Sequence, residues 1–175
     1  MKKIIGLALL SLTMMGVSFA AAVEEVHDPM ASEILSHINR FRASHGLSPL
    51  VMNDTVSAEA RTHSRSMANH AVSFGHDGFQ QRLSHLVHTI PHATGGAENV
   101  AYNYKTAKIV ADGWIHSPGH RQNILGHYNL TGIGIVRDRD GKLYYTQMFL
   151  RKDNTRAEQA HVHGHSSRRF YVTHG

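Results

Sequence analysis

Two runs near the C-terminal end of the chain, Gly132 to Arg137 and Leu143 to Leu150, are apolar on both faces. Ile133 and Ile135 oppose Val136 in the first, and Leu143 and Phe149 oppose Met148 and Leu150 in the second. Side chains of a strand alternate between the two faces of its sheet, so a sheet built from these runs must be covered on both sides. Asp138-Arg139-Asp140-Gly141 between them is a turn by composition, which makes the pair a hairpin. The segments before the hairpin are mostly helical in pattern. Helices ahead of doubly buried strands imply an α+β chain folded as a three-layer α-β-α sandwich.

The covering helices can be read in turn. Asp28 caps the first, Pro29 suits its first position, and Ile34, Leu35, Ile38 and Phe41 form one stripe that Gly46 ends. Asn53 or Asp54 caps a second, whose inner face carries Val56, Ala60, His63 and Met67. His63 on that face is read as a packed, hydrogen-bonded residue and not as a ligand. After a loop from Ala71 to Gly78, a short amphipathic helix is expected around Phe79 to Leu86. Pro91 and Gly95-Gly96 mark irregular chain before a short strand, Glu98 to Tyr102. Thr106 caps a further helix with Ala107, Val110, Ala111 and Trp114 at i, i+3, i+4 and i+7. Ser117-Pro118-Gly119 breaks it, because the residue before a proline is pushed out of the α region.

The N-terminus reads as an export signal over residues 1–22. Lys2 and Lys3 precede an apolar run from Ile4 to Val17, and small residues then allow cleavage after Ala20 or Ala22. The run is short for a bilayer span, which takes about 20 residues, so no stable span is expected after cleavage. The folded domain is expected at 28–152, with a His-rich basic tail at 153–175. With zero cysteines among 175 residues, an apolar core alone must hold an exported domain together. Secreted eukaryotic domains of this size often carry cystines, which favours a bacterial protein, secreted or periplasmic. The net charge is +5, the basic residues are interspersed with acidic ones, and no aromatic-studded basic stripe exists, which argues against nucleic acid as a partner. A monomer is expected.

Several motifs fail. Gly132-Ile133-Gly134 lacks the third glycine and the helix of a dinucleotide loop. Asp138 to Gly141 lacks the remaining ligands of a calcium loop. His85 and His88 have helical spacing but no third partner, and His116 and His120 are separated by the Pro118 break.

Three segments remain: Phe74-Gly75-His76, Gly96-Ala97-Glu98-Asn99-Val100-Ala101, and Trp114-x-x-Ser117-Pro118-Gly119-His120-Arg121-Gln122-Asn123. In this order, with Tyr145-Thr146-Gln147-Met148-Phe149 following, the chain resembles the CAP superfamily of cysteine-rich secretory, antigen 5 and pathogenesis-related 1 proteins, in its bacterial SCP-like form. The helical Ile38-Asn39-x-x-Arg42 and Ala60-x-x-His63-Ser64-x-x-Met67 segments fit as well, so the resemblance spans about Met30 to Leu150. It implies the α-β-α sandwich with a surface cleft. It assigns His76, Glu98 and His120 to that cleft, with Ser117, Arg121 and Gln147 beside them. Ala97 stands where the Gly-Glu-Asn motif has glycine, and Ser117 where eukaryotic members carry a second glutamate.

Two neutral imidazoles and one carboxylate form a ligand set known for zinc, so His76, Glu98 and His120 are candidate ligands for Zn²⁺ or another divalent metal. The same three side chains can instead hold a hydrogen-bond network or pin loops over the sheet. Ser117 beside His120 is the one candidate nucleophile, but a triad also needs an orienting third group. The expected function is an exported protein whose cleft binds a small ligand, a lipid, an envelope component or a divalent metal. The alternative is a metal-dependent hydrolase acting on peptide or envelope polymer. In the tail, His161, His163 and His165 alternate, and in an extended chain they offer a second possible metal site.

Overall fold

A computed structural model describes residues 28–153 of the chain. The export segment and His161, His163 and His165 lie outside the described residues.

The element order is α1 (Pro29–Ser44), β1 (Val51–Met52), α2 (Asp54–Ala68), α3 (Phe79–Thr89), β2 (Ala93–Tyr102), α4 (Ala107–His116), α5 (Pro118–Ile124), β3 (Leu130–Arg137) and β4 (Leu143–Lys152). The four strands form one sheet in the order β1-β3-β4-β2. Only the β1–β3 pairing is parallel. The caps read from sequence are in place: Asp28 and Asn53 accept from Met30 N and Val56 N, and Thr106 accepts from Ile109 N. Pro118 opens α5 as an N1 proline, so the break after α4 is also the start of the next helix.

One face of the sheet buries Ala97, Ala101, Ile133, Tyr145 and Phe149 against Ile34 and Ile38 of α1, Val110, Ala111 and Trp114 of α4, and Ile124 of α5. The other buries Met148 and Leu150 against Val56 and Ala60 of α2 and Leu86 of α3. The doubly apolar strands thus sit between two helical layers, and the protein is the α-β-α sandwich expected. Gly132 and Gly134 lie under α2, where a Cβ would strike the backbone of Val56–Ser57 and Ala60–Arg61. The Gly-x-Gly that fails as a nucleotide loop is a seat for this helix.

Arg42 is the buried charge of the first layer. Its guanidinium donates to the carbonyls of Ser48 (3.0 Å), Ile124 (2.6 Å), Gly126 (3.0 Å) and Tyr128 (3.1 Å). Burial pulls its pKa below the usual arginine value. It ties α1 to the turn that carries the chain from α5 into β3, and so fixes where α5 lies.

Candidate functional site

Strand β2 forms one edge of the sheet, and the site is built around it. Its alternation sends Glu98 and Val100 toward the α2–α3 layer and Asn99 toward α5. The carbonyls of Glu98 and Val100 accept from Asn123 Nδ2 (3.1 Å) and Trp114 Nε1 (3.2 Å) instead of from a fifth strand. Asn123 Nδ2 also donates to Asn99 Oδ1 (2.9 Å), and Asn99 Nδ2 donates to His120 O (3.2 Å). These bonds fasten α5, and with it His120, to the strand that carries Glu98.

Behind the strand is a buried charge cluster. The Glu98 side chain is 1% exposed and receives a two-pronged contact from Arg82 of α3, Nε to Oε2 at 2.9 Å and Nη2 to Oε1 at 2.9 Å. His76 Nδ1 lies 2.9 Å from the same Oε1. With the carboxylate accepting, Nδ1 carries the proton and Nε2 remains the ring's other polar atom. His63 Nε2 is 3.9 Å from Oε1, but its hydrogen bond goes to Gly75 O at 2.8 Å. His63 is packed and hydrogen-bonded, as read from the helix face. Arg82 is the residue that sequence reasoning missed. It interrupts the apolar stripe Phe79, Leu83, Leu86 at the spacing of the inner face, and a charge in that stripe was the available signal.

In front of the strand is a cavity of about 610 Å³, lined by Phe74, His76, Tyr102, Tyr104, Trp114, Ser117 and His120 among others. Gly113 makes one wall possible: a Cβ there would lie 2.9 Å from the Tyr104 hydroxyl, so only glycine lets that ring rest on α4. Phe74 is 55% exposed, and its ring centroid is 6.0 Å from that of Tyr102, which stands 4.8 Å from Tyr144.

The candidate residues therefore separate. His76, Ser117 and His120 line the cavity. Glu98 lies behind His76, which touches both the cavity and the carboxylate. Arg121 is exposed on α5. Gln147 is fully buried in β4, its Nε2 donating to Thr131 Oγ1 at 3.2 Å and its Oε1 unpaired among the described residues.

No group of three or more His, Cys, Asp or Glu side chains suited to a metal ion occurs among the described residues. The donor chemistry agrees, because both Glu98 oxygens already face the Arg82 guanidinium. The residues present do not fit a zinc site of His76, Glu98 and His120.

Burial lowers the pKa of His120, helped by the nearby His76, and burial likewise lowers that of His63. Both rings favour the neutral form in the folded protein, whereas in the unfolded chain they titrate near the ordinary value of about 6.5. The unfolded state then binds more protons over the interval below that value, so stability falls as pH drops from about 6.5 through the lower folded pKa values. Thermal melts from pH 7.5 to 5 should show this decline, and His63→Gln should flatten part of it. A decline unchanged in His63→Gln would remove His63 as a cause.

The sequence model of the Cysteine-rich secretory protein family, CAP, matches residues 35–149. The chain is 30% identical over 134 residues to "Uncharacterized membrane protein YlbC" of Bacillus subtilis (strain 168), covering 74% of this chain and 36% of that protein. It is 33% identical over 126 residues to "Uncharacterized protein YkwD" of the same organism, covering 69% and 46%. The chain thus spans less than half the length of these curated relatives. Among solved structures, an extracellular protein containing a SCP domain from Bacillus anthracis str. Ames superposes with a TM-score of 0.59 at 27% identity, over 70% of this chain and 40% of that one.

Proposed function

The chain belongs to the cysteine-rich secretory protein (CAP) family, and on that premise we propose that it is exported and binds a small organic ligand in the cleft beside β2. The carrying observation is the cavity itself: about 610 Å³, walled largely by aromatic rings, with His76, Ser117 and His120 among its polar groups. That size lies within the ~300–1,000 Å³ typical of small-molecule sites, and a few polar groups on apolar walls is the usual pattern. The ligand class that fits is an amphiphile, its apolar part on Phe74, Tyr102 and Trp114 and its polar end at His76 and His120. The hydrolytic alternative is less well supported. Glu98 is committed to Arg82, and Ser117 Oγ makes no hydrogen bond to His120.

Trp114 is the single tryptophan of the chain and lines the cavity, so its fluorescence reports occupancy. Titration of the full-length protein with dodecanoate should change that emission saturably, and Tyr102→Ala should weaken the affinity by about tenfold or more. An emission that never changes, or one that changes equally in Tyr102→Ala, would reject an organic ligand at this place.

Export is supported by the Lys2-Lys3 segment with its apolar run, and by the extracellular description of the Bacillus anthracis protein. Among the described residues no helix is long and apolar enough to cross a membrane. Mass spectrometry of protein recovered outside the cytoplasm should find an N-terminus at Ala21 or Val23. Recovery of the intact Met1 form there would refute signal cleavage.

A further inference from the structure

A buried carboxylate needs a compensating positive charge, and the identity of that charge decides what else can approach. In this protein the cation is covalent. Arg82 projects from the first turn of α3, and its three nitrogens are all used: Nε and Nη2 on Glu98, and Nη1 on Asp77 O at 2.7 Å. Gly78, left-handed at φ +77°, adapts the chain to this path, since a Cβ there would lie 3.1 Å from Nη1. The third donor to the carboxylate is His76, at 2.9 Å.

We propose that Arg82 is the specificity-determining residue of the cleft: its guanidinium stands as a built-in cation on Glu98 and thereby excludes divalent metal ions. Both carboxylate oxygens are taken, and an entering metal would have to displace a guanidinium held by three hydrogen bonds while meeting its positive charge. The His76 imidazole is held by the same carboxylate, with its Nε2 left for a polar group in the cavity. Arg82 acts through Glu98 and His76 and is a positioning residue. The cleft is the one proposed above for an amphiphile. The test uses zinc alone, so the fate of this inference is separable from that of the organic ligand.

The test is a titration of full-length protein with zinc chloride, read by NMR of the His76 and His120 ring protons. His161→Ala, His163→Ala and His165→Ala are present in every arm to silence the tail. The wild-type arm should show no saturable shift of His76. Arg82→Met should gain zinc affinity by at least tenfold, about 1.4 kcal/mol, and Arg82→Met with Glu98→Gln should lose it again. Arg82→Lys, which keeps the charge, should stay close to wild type. A saturable zinc shift of His76 in the wild type, or a folded Arg82→Met without any gain, would overturn the proposal. If Arg82→Met does not fold, the wild-type and Arg82→Lys arms decide: zinc binding at His76 in either overturns it, and silence in both supports it.

Discussion

Replacing Gly134 with valine is expected to cost the protein at least about 3 kcal/mol, and roughly 6–12 °C in melting temperature. A Cβ at this position would strike the backbone nitrogen and Cα of Arg61 and the carbonyl carbon of Ala60. These are backbone atoms of α2, so no side-chain rotation relieves the collision and the helix must lift. Lifting α2 would also strain the buried hydrogen bonds that Ser64 Oγ makes with Gly134 O (2.9 Å), to which it donates, and with the Thr146 hydroxyl (2.8 Å). Gly119→Ala is the control, since nothing lies within 4 Å of a Cβ there and its backbone is not left-handed. It should melt like the wild type or slightly higher. Chemical denaturation of both variants checks the contrast; equal stability would mean that α2 does not rest on β3 as described.

Trp114→Ala should cost about 3–5 kcal/mol. The indole is 1% exposed among Ala111, Val110 and the sheet, and its Nε1 satisfies the outward carbonyl of Val100. Truncation leaves both a void and an unpaired carbonyl at the strand that carries Glu98. His76→Ala should cost much less, because that side chain is 51% exposed. Glu98 differs from His76, since removing it strands the Arg82 guanidinium, and breaking a buried pair costs about 3–5 kcal/mol. The Arg82 contact thus puts Glu98 in the same range of structural weight as Trp114, with His76 below both. A Trp114→Ala protein that melts with the wild type would contradict the packing of α4.

The legible parts of the fold were those whose signal is local and periodic. The stripe Ala107, Val110, Ala111 and Trp114 is the buried face of α4, and the hairpin strands pair across the turn at 138–141. The Ser117-Pro118 break ends α4 as expected, and the short helix α5 that starts at Pro118 is an addition to that reading. Less legible was β2, which begins at Ala93 and not at Glu98. Gly95-Gly96 read as loop, yet Gly96 is glycine because a Cβ would strike Phe149 O across the pairing. The two residues of β1 carry no period of their own, and they are a strand only through their parallel partner β3. In the site, His76 and His120 were found through ordered motifs. Arg82 was not, because its partner lies 16 residues away on another element and no spacing rule joins them.

The most direct test of an organic-ligand cleft with an internally neutralised carboxylate is a crystal structure of the full-length protein grown with saturating dodecanoate. The acyl chain should lie between Phe74, Tyr102 and Trp114 with its head group at His76 and His120, and Arg82 should remain on Glu98. Dodecanoate bound elsewhere with this cleft empty, or a metal ion on Glu98 in place of Arg82, would contradict the account.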